Sequence, residues 1–204
     1  MKPQIVILPD LDRLSLAAAK HFSEAAQTAF KKRGKALVAL SGGSTPLQLF
    51  HKLAAAPFSA QIPWQVVHFF WCDERCVPPD DPESNFGQAR QVLFHPLNLP
   101  NENLHRILGE LDPEHAALVY RETLHQFKAP GLNWPIFDLV LLGLGADGHK
   151  ASLFPGAPLP EQVPVLAVTA GYHGRPSHRV TLTPLVLNSA RQVIFLAAGA
   201  EKAE

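Results

Sequence analysis

Cysteine is scarce: the 204-residue chain has two, Cys72 and Cys76. That is too few for a disulfide scaffold. Their C-x-x-x-C spacing has no second pair, which argues against zinc and for structural or free thiols. Net charge is also missing, because 18 basic residues cancel 18 acidic ones. The chain therefore lacks the footprint of a nucleic-acid binder or a membrane-surface protein. A small-molecule partner is the class left standing. Long apolar runs are absent too. The run in "MKPQIVILPD" ends at Pro9, too short for a signal peptide or a membrane span. The expectation is a soluble, cytoplasmic protein. What is present fills a core easily: 47% of residues are apolar and 18% charged. The length suits one compact domain, or one with a small lobe.

Residues 5–8, "IVIL", read as a short first strand. From Leu11, apolar residues recur at Leu14, Ala18, Phe22, Ala25 and Ala29, one face of a helix. Lys31, Lys32 and Arg33 suit its negative end, and Gly34 supplies a left-handed stop. Mostly apolar strands follow at 36–41, 64–71, 137–142, 163–169, 179–183 and 192–198, with helices predicted at 46–56, 84–94 and 113–127. That alternation predicts an α/β fold: a mostly parallel sheet with helices on both faces. Thr45-Pro46, Asp112-Pro113 and Thr183-Pro184 each read as an N-cap before proline at N1. Gln48, three residues after Thr45, suggests a capping box. The stretch 155–164 is proline-rich and reads as one surface loop. The sequence stops at "AAGAEKAE", where a strand passes into a helix. The expectation is a single domain over 1–204 that lacks a C-terminal helix and strand.

Four places carry chemistry. In "SGGSTP", Ser41 to Pro46, a buried strand enters a glycine pair and then a helix start. Glycines permit close backbone approach, and a helix N-terminus offers N–H groups to an anion. This is no Walker loop, since the G-K-[ST] ending is missing. A phosphate cradle and an ordinary strand-to-helix turn both fit. In "WCDERCVPPDDPESNFGQ", Asp73, Glu74 and Arg75 follow a buried strand. Ligands gather at such ends, and arginine grips phosphate or carboxylate with a fork of donors. A solvated charged turn fits as well.

The third place is "GLGADGHK", Gly143 to Lys150, which matches G-x-G-x-x-G. A dinucleotide site needs an acid about 20 residues on, at the end of the next strand. The nearby acid, Glu161, precedes that strand, which demotes the dinucleotide reading. What remains is a turn displaying His149, a residue suited to moving protons near neutral pH. Asp147 stands two residues earlier, placed to orient it or to hold substrate. The fourth place is the pair Arg179 and Lys202, at strand ends and relevant only if the fold brings them to the 42–45 loop.

Taken in order, "LSGGSTP", "DERCVPPDDPESNFGQ", "LLGLGADGHKASLFPG", "RVTLTPLVLN" and "AGAEKA" resemble the 6-phosphogluconolactonases, from about Lys35 to Ala203. The resemblance implies the three-layer, Rossmann-like sandwich shared with glucosamine-6-phosphate deaminases and ribose-5-phosphate isomerases. It implies hydrolysis of 6-phospho-D-glucono-1,5-lactone to 6-phosphogluconate in the oxidative pentose phosphate pathway, with no cofactor and no metal. It puts the catalytic acid/base on His149, and Asp147 joins it as a candidate catalytic residue from its place in the turn. It puts a substrate contact on Arg75, and the reading of the residues adds Gly42, Gly43, Ser44, Thr45, Asp73, Arg179 and Lys202 as candidate contacts. A monomer or weak dimer is expected. The deaminases share S-G-G-[ST]-P and D-G-H, but theirs resembles "DGHIAFNEP" and "DEY" where this chain has "DGHKASLFP" and "DER". A deaminase-like isomerase and a non-catalytic sugar-phosphate sensor remain the alternatives. One departure stands out: the lactonases usually carry threonine where this chain has Lys150.

Overall fold

The computed structural model of the chain describes residues 3–158, 162–171, 174–199 and 202. Its first helix, α1 (Leu11–Arg33), starts where Asp10 accepts from the Arg13 N–H and ends at Gly34, in the left-handed region at φ 74°. Five strands form a parallel sheet: β1 (Ala36–Leu40), β2 (Val67–Trp71), β4 (Leu104–His105), β5 (Leu139–Gly143) and β8 (Val193–Leu196). Their order is β4-β2-β1-β5-β8. Every residue of β1 is buried, which accounts for its unbroken apolar sequence. Helix α2 (Ser44–Ala54) follows β1 and packs on α1. Helix α5 (Pro113–Gln126) is capped by Asp112, as predicted. Short helices α3 (Phe58–Gln61), α4 (Asn85–Ala89) and α6 (Pro184–Leu187) complete the set.

Several expectations are corrected. Residues 5–8 form no strand: Ile5 and Ile7 are 86% and 91% exposed. Apolar composition alone supplies no hydrogen-bonding neighbour, and β1 is flanked by β2 and β5 instead. The strands predicted at 163–169 and 179–183 do not join the parallel sheet. As β6 (Val165–Thr169) and β7 (His178–Leu182), they form a separate antiparallel three-stranded sheet in which β7 lies between β6 and β3 (Asp73–Arg75). The capping box at Thr45 is absent, because the helix begins at Ser44 with Gly43 as its cap. Thr183 makes no cap bond either; its hydroxyl donates to the Val163 carbonyl at 2.7 Å. The helix predicted at 84–94 is α-helical over 85–89 and widens to π geometry over 90–94. Cys72 and Cys76 are free thiols.

This topology places the site. β1 lies between β2 and β5, so the chain leaves the β1 end and the β5 end in separate connections, opening a crevice. The small sheet roofs it: Cys72 joins β2 to β3, donating to Leu40 and accepting from Leu182 across the two sheets, both at 2.7 Å. At the opposite end, buried Asp138 pairs with Arg33 and Arg191 and accepts from the Leu37 N–H at 2.9 Å. That bond network locks α1, β1 and β5 together. No helix among the described residues is long and apolar enough to cross a membrane.

Candidate active site

One cleft, with a volume of about 200 Å³, gathers the sequence-predicted residues. Ser44, Thr45, Gly42 and Gly43 come from the β1–α2 loop, and Asp73 and Arg75 from β3. His149 comes from the turn after β5, Arg179 from β7, and Lys202 from beyond β8. Asp147 is the exception: it is exposed, does not line the cleft and bonds His149. Lys150 is exposed and bonds through its backbone with Leu153. Glu161 lies outside the described residues.

The β1–α2 loop fits an anion at the helix start. Gly43 has φ 112°, a region that side chains rarely adopt. Gly42 is glycine for a different reason. A Cβ there would lie 1.8 Å from Asn85 Oδ1, so the Asn85 amide fills the space behind the loop. Asn85 is 2% exposed and donates to the Asp73 carbonyl at 2.9 Å. Sequence reasoning missed Asn85, which has no charge to mark it, although it lies within "PESNFGQ".

The opposite wall is cationic. Arg75 and Arg179 are register partners across β3 and β7 and are nearly inaccessible, at 7% and 2% exposure. Arg75 donates to the Glu83 carbonyl at 2.6 Å and lies 3.5 Å from its carboxylate. Arg179 donates from Nε to Pro176 and sits over the Phe154 ring. Burial, and then Arg75, lower the pKa of the Arg179 guanidinium. Arg175, also missed, joins this wall and lies 4.0 Å from Glu83. Among the described residues, Arg75 Nε, Asn85 Oδ1 and Arg179 Nη2 are buried without a hydrogen-bond partner. Such groups are costly unless a ligand satisfies them.

His149 is held on two sides. Its Nδ1 lies 2.5 Å from Asp147 Oδ1, and its ring packs on Phe154 at 4.7 Å. Gly145 makes room for it: a Cβ there would meet His149 Nδ1 at 2.1 Å. The glycines of "GLGADGHK" thus serve a tight turn around an imidazole. Burial raises the Asp147 pKa, but the hydrogen bonds from the His149 side chain and backbone outweigh it, and the net shift is downward. An ionised Asp147 favours the tautomer that carries the proton on Nδ1.

The sequence and the fold of the chain are matched by known proteins. The sequence model of the family described as glucosamine-6-phosphate isomerases/6-phosphogluconolactonase covers residues 9–204. The chain belongs to that family. The 6-phosphogluconolactonase of Haemophilus influenzae is 40% identical over 82% of this chain and 70% of its own length. That of Mycobacterium tuberculosis is 38% identical over 100% of this chain and 84% of its own. The solved 6-phosphogluconolactonase of Trypanosoma cruzi superposes with a TM-score of 0.87 at 32% identity, covering 98% of this chain and 82% of that one. These relatives carry the lactonase half of the family's description.

Proposed function

We propose that the chain hydrolyses 6-phospho-D-glucono-1,5-lactone to 6-phospho-D-gluconate, with His149 as general acid and base. The observation that carries this reading is His149, held by Asp147 at 2.5 Å, in a cleft with an anion cradle and buried, under-compensated arginines. The lactonase names of the relatives support the same choice within the family.

The phosphate sits on the loop of Gly42, Gly43, Ser44 and Thr45, with Arg179, Arg75 and Lys202 around it. Anchoring by this distant group orients the lactone carbonyl and removes the entropy cost from the reacting step. Neutral His149 takes a proton through Nε2 from a water as the water oxygen attacks C1. The carbonyl π electrons move to oxygen, forming a tetrahedral oxyanion that needs hydrogen-bond donors. Collapse breaks the bond from C1 to the ring oxygen, and His149 returns the proton to that oxygen. Asp147 fixes the imidazole tautomer throughout. Asp73 accepts from hydroxyls of the bound sugar acid.

General acid/base catalysis contributes about 10²–10⁴-fold. His149→Ala is therefore expected to lower kcat by that range with little change in 6-phosphogluconate affinity. The assay couples product to 6-phosphogluconate dehydrogenase and subtracts spontaneous lactone opening. A wild-type rate from this variant would remove His149 from its role. Ammonia release from glucosamine 6-phosphate would instead move the chain to the other activity in the family's description.

A further inference from the structure

Asp73 is a buried carboxylate, 5% exposed, in a wall that also holds Arg75, Arg175 and Arg179. Yet among the described residues it forms no ion pair. Arg75 stands two residues further along β3 and Arg179 is its register partner on β7, so Asp73 shares one face of the small sheet with both guanidinium-bearing residues. What holds it elsewhere is Ser152, whose hydroxyl donates to Asp73 Oδ2 at 2.7 Å. Ser152 is 1% exposed, and its own N–H donates to Thr181 Oγ1 at 3.3 Å. Thr181 is the register partner of Asp73 across β3 and β7. The serine is thus fixed by the same strand pair whose carboxylate it holds.

We propose that Ser152 is a positioning residue. Its hydroxyl keeps the Asp73 carboxylate off the neighbouring guanidiniums, so that the carboxylate receives substrate hydroxyls while the arginines receive the phosphate. This rests on the lactonase reading above. The physical reason is competition inside a dry wall. A carboxylate next to an unpaired guanidinium gains a strong charge-assisted bond by swinging onto it. That swing would neutralise the anion grip and withdraw the hydroxyl acceptor at once. A hydrogen bond to the second carboxylate oxygen is the restraint that opposes it. Ser152 stands three residues after His149, so the same bond fastens the histidine turn to the strand that carries Asp73 and Arg75.

The test is a double-mutant cycle in the full chain, read by calorimetric binding of 6-phosphogluconate and by lactone hydrolysis. Ser152→Ala is expected to weaken 6-phosphogluconate binding and lower kcat/KM by roughly tenfold or more, the scale of a lost bond to a charged group. In an Asp73→Asn background, or Asp73→Ala should the asparagine variant not fold, the same change is expected to cost less than twofold. In a His149→Ala background it is expected to keep its full effect on binding. An equal cost with and without the Asp73 carboxylate overturns the proposal, as does unchanged binding in Ser152→Ala. If wild type binds 6-phosphogluconate but does not hydrolyse the lactone, the catalytic reading fails while the binding cycle still decides the role of Ser152. Failure of wild type to bind 6-phosphogluconate sinks both.

Discussion

Arg75 and Arg179 face each other across β3 and β7, where like charges repel. Both are buried, and among the described residues the carboxylate within 4.0 Å of either is that of Glu83, on Arg75. On the function proposed above, the phosphate of the substrate supplies the counter-charge that this arrangement lacks. Removing a buried, under-compensated charge in favour of an apolar chain of similar length is neutral or stabilising by up to a few kcal/mol. Arg179→Met is therefore expected to melt no lower than wild type while 6-phosphogluconate affinity drops at least tenfold. Thermal denaturation and calorimetry on the same preparation separate the two effects. A Tm several degrees lower with affinity intact would return Arg179 to a purely structural role.

The connection from β3 to α4 shows the same logic in a short element. Glu74 is buried, and its carboxylate accepts from the backbone N–H groups of Arg75, Asn85 and Phe86 at 2.7–2.8 Å. The Ser84 hydroxyl adds a fourth bond at 3.1 Å, and that hydroxyl also caps α4 by accepting from Gly87. One side chain thus shapes the loop that brings Asn85 behind Gly42 and Glu83 onto Arg75. Glu74→Ala leaves three buried N–H groups without an acceptor, each worth about 1–3 kcal/mol. A stability loss of about 3 kcal/mol or more is expected by urea denaturation, with weaker 6-phosphogluconate binding. A loss below about 1 kcal/mol would mean that the loop finds other acceptors. None of this was legible in "DERCVPPDDPESNFGQ", where Glu74 looked like one of three solvated charges. Sequence shows that a residue is charged, not that the loop ten residues on folds over it. By contrast α1 was legible to its last residue, because a long amphipathic stripe, three terminal cations and Gly34 all mark one boundary. The strand positions of β6 and β7 were legible and their sheet was not. An apolar run records burial, while its partner is chosen by the crossover that follows. The strand-end residues that the sequence singled out line one cleft, whereas Asn85, Ser152 and Arg175 stand where packing puts them, which spacing does not encode.

Across the whole molecule, the cleft occupies one end of the parallel sheet, and a second polar cluster lies nearer its other end. His68 Nδ1 and His105 Nε2 are 3.1 Å apart, one donating and the other accepting, with Phe70, Phe127 and Lys35 around them. Burial, then His68 and Lys35, push His105 down to about 4, and burial and Lys35 lower His68 as well. An unfolded histidine titrates near 6.5. Between about 6.5 and 4 the unfolded chain therefore binds protons that the folded pair refuses, and stability falls as pH falls. Glu74 acts in the opposite sense over nearly the same window. Burial pushes its carboxyl up to about 7, so the folded chain binds the extra proton there and gains stability as pH falls. The two slopes oppose each other, and the wild-type profile alone does not reveal either. The contribution of the pair is read from the difference between wild type and His105→Gln in urea denaturation at successive pH values. Above about pH 7 that difference is expected to be constant, because both states hold a neutral imidazole. Below it, wild type is expected to lose ground steadily to the variant until about pH 4. A difference that stays flat from pH 7 to 4 would show that His105 protonates as readily folded as unfolded.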